Sequence, residues 1–110
     1  MSAETPEVID RYFLLEADRD TEAIVGLFAD DATVVDEGEV RYGKAEIRDW
    51  RTGTASRYTY TIEVLGSEAV AQDRHLVTGR LDGDFPGGTA VLKFDFTLAD
   101  GLISRLQIAP

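Results

Sequence analysis

VGLFADDATVVDEG, residues 25–38, is the stretch where the chain changes its hydrophobic period. Its front half completes a short helix that Asp20 or Thr21 caps, with Ala23, Ile24, Leu27 and Phe28 on the buried side and Asp30-Asp31 as the stop. Its back half, Ala32 to Asp36, reads as a strand, because Val34 and Val35 favour extended backbone, and Glu37-Gly38-Glu39 is the turn after it. Upstream, Thr5 is a good N-cap and Pro6 suits a first helical position. Val8, Ile9, Tyr12, Phe13, Leu15 and Glu16 follow at helical spacing, so residues 6–18 form an amphipathic helix. Downstream, Gly43 precedes a third helix over Lys44–Trp50, with Ile47 and Trp50 three apart.

From Arg57 onward the period is two. Tyr58, Tyr60, Ile62 and Val64 share one strand face. Ala69 to Arg80 reads as one long strand with Ala71, Asp73, His75 and Val77 on the same side. Phe85-Pro86-Gly87-Gly88 is a loop, since proline fixes φ and the glycines permit positive values. Thr89 to Leu98 alternates, with Leu92, Phe94, Phe96 and Leu98 on one face and Val91, Lys93, Asp95 and Thr97 on the other. Asp100-Gly101 is a hairpin turn signal, and Leu102 to Ile108 is the last strand. Helices first and hairpin-linked strands afterwards indicate an α+β fold, an antiparallel sheet covered on one face.

The 110 residues suit one domain, 1–110, with a core of its own. With 44% hydrophobic residues the composition is that of a folded globule. No apolar run has the roughly 18–20 residues of a membrane span. The acidic start, MSAETPEVID, lacks a basic region followed by an apolar one, so no secretory signal is read there. Zero cysteines rule out disulfides, thiolate zinc sites and thiol catalysis. One histidine, without the spacing of a ligand set, argues against any metal. The net charge of −10 disfavours nucleic acid and anionic membrane surfaces as partners. A cytoplasmic protein without a cofactor is the expectation.

The order of helix, LFADDATVxD, turn, GKAEIRDW and strand meander resembles the nuclear transport factor 2-like superfamily, and within it the SnoaL-like polyketide cyclases and bacterial ketosteroid isomerases. The resemblance covers nearly the whole chain. It implies a cystatin-like cone: a curved antiparallel sheet wrapped around three helices of the N-terminal half, with a pocket at the wide end and frequent homodimerisation through the outer sheet face. For the homodimer, the face bearing Val91 and Thr97 is the candidate surface.

The resemblance also assigns roles. Tyr12, in RYFLL, matches the helix tyrosine of the isomerases, and Asp36, closing ADDATVVD, matches their proton-transferring carboxylate. Their second oxyanion donor is a protonated aspartic acid two residues before an F-x-F pair. Here that place is Leu92, which has no proton to donate, so steroid isomerase activity proper is not expected. By the same resemblance the face of Asp73 and His75 lines the pocket, where Asp73 would fix the histidine tautomer. Arg74 alternates away from Asp73, so an Asp–Arg–Asp set like that of limonene epoxide hydrolases does not match. The candidate catalytic residues are therefore Asp36, Tyr12 and His75. Trp50, Asp73, Leu92 and Phe94 are the candidate substrate contacts. The expected reaction is a proton transfer on a small hydrophobic carbonyl compound, an isomerisation or aldol-type cyclisation. The alternative is a non-catalytic module of the same fold that binds a small ligand or a protein. Each side chain also has a plain packing role open to it.

Overall fold

The helix expected over residues 6–18 runs from Glu7 to Asp18 (α1) in the computed structural model, which describes residues 5–53 and 58–110. Arg57, where the period of two was read to begin, lies outside the described residues. Pro6, not Thr5, is the N-cap of α1, without a side-chain cap bond, and the Thr5 hydroxyl instead donates to Ser67 Oγ at 3.1 Å. At the other end Arg19 takes φ of 56°, and its N–H and that of Asp20 return to the carbonyls of Glu16 and Leu15.

Asp20 caps the next helix, Thr21–Val25 (α2), by accepting from Ala23 N–H. This helix stops earlier than its apolar spacing implied. The Leu27 carbonyl accepts from Ile103 N–H at 2.9 Å, and Phe28 already pairs with Ile103. Phe28 and Asp30-Asp31 thus belong to the strand Phe28–Asp36 (β1), the two aspartates lying exposed along it. Glu37 and Gly38, with φ of 54° and 76°, turn the chain into a four-residue strand, Glu39–Tyr42 (β2), which the sequence reading missed. Helix α3 spans Gly43–Thr52, its start tied by Tyr42 N–H donating to Glu46 Oε1 at 2.7 Å.

The remaining strands are Tyr60–Ala71 (β3), Arg74–Gly83 (β4), Thr89–Ala99 (β5) and Leu102–Ala109 (β6). The long strand expected over 69–80 is therefore two, broken by a tight turn at Gln72-Asp73. Strand order is β2-β1-β6-β5-β4-β3. Every pairing is antiparallel except β1 with β6, which is parallel, so the sheet is mixed. Register slips at Val64/Gly66, Ala69/Ala71 and Thr97/Leu98 mark irregularities that bend and twist the strands, and the sheet is curved.

The three helices cover the inner face. Ile9 and Tyr12 of α1, Ile24 of α2, and Ile47 and Trp50 of α3 pack against Phe28, Val34, Val77, Phe96, Ile103 and Leu106. The Tyr12 ring meets Phe13, Phe28 and Phe96 edge to face at 5.2–6.4 Å between centroids. The outer face carries ion pairs instead, Arg74 with Asp95 at 2.6 Å and Arg80 with Glu63 at 2.8 Å. No described helix is long and apolar enough to cross a membrane.

Candidate functional site

Helix α1 and the end of α3 do not close fully onto the inner face of the sheet. Between them is a cavity of about 250 Å³. Its wall is mainly apolar: Ile62, Leu81, Ala90, Leu92, Phe94 and Ile108 from the sheet, with Trp50 from α3. Gly79 belongs to the same region of sheet. A Cβ there would sit 3.1 Å from both Ile62 and Phe94. The phenol rings of Tyr58 and Tyr60 and the Phe85 ring complete the wall, with Tyr58 and Phe85 edge to face at 6.1 Å. The loop read from Phe85-Pro86-Gly87-Gly88 thus contributes a ring to the cavity.

Tyr12 is fully buried and lines this cavity. Its hydroxyl has no hydrogen-bond partner among the described residues. Burial, and after it the charge of Glu16, pushes the phenol pKa well above its ordinary value, so Tyr12 stays a neutral donor. Asp36, at the end of β1, reaches the same cavity. Its Oδ2 accepts from Trp50 Nε1–H at 2.9 Å, and among the described residues Oδ1 has no partner. The carboxylate is thereby fixed in direction by α3 while one oxygen stays available.

A second polar pair, absent from the sequence reading, stands beside Tyr12. Glu16 lies one helical turn after Tyr12, and Arg51 follows Trp50 directly. The Arg51 guanidinium donates to both Glu16 oxygens, at 2.7 and 3.1 Å, with side chains only 5% and 7% exposed. Burial opposes the Arg51 charge, but Tyr12, Glu16 and Tyr60 together hold the guanidinium above its ordinary value. Tyr60 O–H reaches toward Glu16 Oε1 at 3.5 Å, and its pKa is raised by burial and then by Glu16. A charge within an otherwise apolar helical stripe was the available signal, since Glu16 sits among Ile9, Tyr12 and Phe13.

Five of the seven expected site residues, Tyr12, Asp36, Trp50, Leu92 and Phe94, line one cavity. Asp73 and His75 are not in its wall. Asp73 falls in the turn between β3 and β4 with its side chain exposed, and its carbonyl accepts from Leu98 N–H at 2.8 Å. The expected common face for the two required unbroken alternation, and the turn interrupts it. His75 does point inward, 8% exposed beside Phe96, but in a different part of the core, and its Nδ1 has no partner among the described residues. Among the described residues no group of three or more His, Cys, Asp or Glu converges as metal ligands would.

Residues 9–106 match the family model of the SnoaL-like domain. The chain belongs to the SnoaL-like family. Among solved structures, this SnoaL-like protein is similar to a candidate polyketide cyclase from Sinorhizobium meliloti, with 36% identity, 94% of each chain covered and a TM-score of 0.88. It also shares its fold with SalBIII, an epoxide hydrolase/cyclase-like enzyme of pyran ring formation in the polyether salinomycin (24% identity, 94% of this chain and 87% of that one, TM-score 0.81). A Mycobacterium tuberculosis protein solved with estradiol-17β-hemisuccinate has the fold as well (16% identity, 96% and 93%, TM-score 0.79). No curated protein matches the chain by sequence. The family is thus established from the nuclear transport factor 2-like superfamily inward, and with it the α+β cone.

Proposed function

We propose that this SnoaL-like domain is a cofactor-independent isomerase or cyclase that transfers a proton on a small hydrophobic carbonyl compound. The observation that carries the reading is one cavity holding both a buried phenol with no acceptor and a carboxylate with one open oxygen among the described residues. A carbonyl oxygen gives the Tyr12 hydroxyl its missing partner. Asp36 Oδ1 then removes a proton from the carbon beside that carbonyl, and the electron pair moves onto the oxygen that Tyr12 holds. Returning the proton from Asp36 to a different carbon completes an isomerisation. Attack of the enolate carbon on a second carbonyl of the same molecule forms a C–C bond instead, and Asp36 passes its proton to the new alkoxide. The apolar wall excludes water from the intermediate. The similarity to a candidate polyketide cyclase supports this class.

Proton exchange tests the reading without knowledge of the natural substrate. Small cyclic ketones and diketones in D₂O, followed by NMR, should lose their α-protons faster with the protein present. Asp36→Asn should slow the exchange by about 10²–10⁴-fold. Catalysed exchange that persists unchanged in that variant removes Asp36 from the mechanism.

One observation favours a second reading, a binding module without turnover. Leu92 lines the cavity, and by the resemblance it takes the place of the isomerases' second donor, so that donor to an enolate is missing. Saturable binding of ketones with no exchange of α-protons would decide for it. In either reading we propose a homodimer through the outer sheet face, where Val91 is 47% exposed. Light scattering should then give twice the chain mass of 12.1 kDa.

A further inference from the structure

We propose that the cavity selects a ligand carrying a protonated amine close to the oxygen it presents to Tyr12. The inference rests on the carbonyl reading above only for that oxygen; the preference for positive charge stands on the wall itself. Among the described lining residues Glu16 and Asp36 bear carboxylates and Arg51 a guanidinium. Arg51 is committed to Glu16 through two short contacts, so this pair cancels. Asp36 accepts a neutral indole N–H on one oxygen and forms no ion pair among the described residues.

A carboxylate in an apolar cavity is costly unless a positive group accompanies it. A ligand ammonium supplies that group. Aromatic faces attract cations as well: Arg51 lies over the Trp50 ring at 5.1 Å and Arg19 over the Tyr60 ring at 5.4 Å, and the Tyr58 and Phe85 rings line the same cavity. The buried Tyr12 hydroxyl, which has no partner among the described residues, independently offers a polar ligand a donor. Over the whole molecule the net charge of −10 draws organic cations toward the surface and repels anions.

Trp50 is the single tryptophan, lies in the wall and bonds to Asp36, so its fluorescence reports on this cavity. Three probes share one apolar body and differ only in the head: phenethylammonium, 2-phenylethanol and phenylacetate. Quenching titrations at neutral pH should rank them in that order, with phenethylammonium bound roughly tenfold more tightly than the alcohol. Asp36→Asn, checked for folding by circular dichroism, should bring the ammonium and the alcohol to within about threefold of each other. The wild-type ranking decides even if that variant does not fold. Equal or tighter binding of the alcohol or of phenylacetate, no saturable quenching by any probe, or an undiminished preference in folded Asp36→Asn overturns the proposal. Failure of the ketone exchange assay with the ranking intact would remove the reaction and keep the charge preference. Exchange with an inverted ranking would do the reverse.

Discussion

Tyr12 gives up a hydrogen bond to be where it is. A buried donor left unsatisfied costs about 1–3 kcal/mol, and the Tyr12 hydroxyl is such a donor among the described residues. Tyr12→Phe should therefore raise the urea midpoint, by a stabilisation of about 1 kcal/mol or more, while it weakens ketone binding or α-proton exchange. A lowered midpoint would show that the hydroxyl has a structural partner after all. The same residue sets an alkaline limit. The folded phenol holds its proton above the ordinary value of 10.0. Above that pH the unfolded chain releases the proton and the folded one keeps it, so stability is full below about pH 10 and declines as pH rises further. Tyr60 is raised too and adds a decline of the same sign. Denaturant midpoints from pH 8 to 11 should fall for the wild type and fall less for Tyr12→Phe. At this scale the sequence was legible where a residue sits on a clear period. Tyr12, Trp50, Leu92 and Phe94 were expected on the cavity and line it. Asp73 was not placed correctly, because a side chain near a turn has no reliable face until the turn is located. Glu16 and Arg51 were not paired, because nothing local links residues 35 positions apart.

The last turn of α3 works as a clamp. Trp50 holds Asp36 of β1 and Arg51 holds Glu16 of α1, so two adjacent residues fix the cavity from both sides. Breaking the buried ion pair with Glu16→Ala or Arg51→Ala should cost about 3–5 kcal/mol, because the surviving charge is left buried alone. A double variant of matched volume, Glu16→Leu with Arg51→Met, should recover much of that loss in a urea double-mutant cycle. Recovery would show that the pair is not retained for stability. The close approach of β4 to the start of β3 gives another test. A Cβ on Gly83 would collide with the Thr59 carbonyl and the Tyr60 side chain, all near the cavity mouth. Gly83→Ala should lower stability by about 1–3 kcal/mol and loosen the Tyr60 side of the wall, seen as weaker probe binding. Element boundaries were legible where glycine or proline marks them, as at Asp100-Gly101. They were misread at Phe28, where helical spacing continued but pairing with β6 won, and at Gln72-Asp73, where a two-residue turn has neither glycine nor proline.

At the scale of the molecule, the α+β class followed from the change of period along the chain, while the strand order did not, because register between distant strands leaves no local trace. The order places β6 in the middle: it pairs with β1 on one side and β5 on the other. Its inward residues Ile103 and Leu106 are fully buried in the core. Deleting residues 102–110 should therefore abolish the cooperative thermal transition seen by circular dichroism, not merely lower its midpoint. A shortened chain that still melts cooperatively would mean that the two halves of the sheet are stable apart. The parallel pairing of β1 with β6 has a bearing on biosynthesis. While the nascent chain emerges from the ribosome, the β1–β2 hairpin and the β3–β4–β5 meander are both made, yet the strand that joins them is still inside the exit tunnel. Two unpaired edges must wait for it, so chaperone demand and aggregation during translation should peak in the interval before β6 is released.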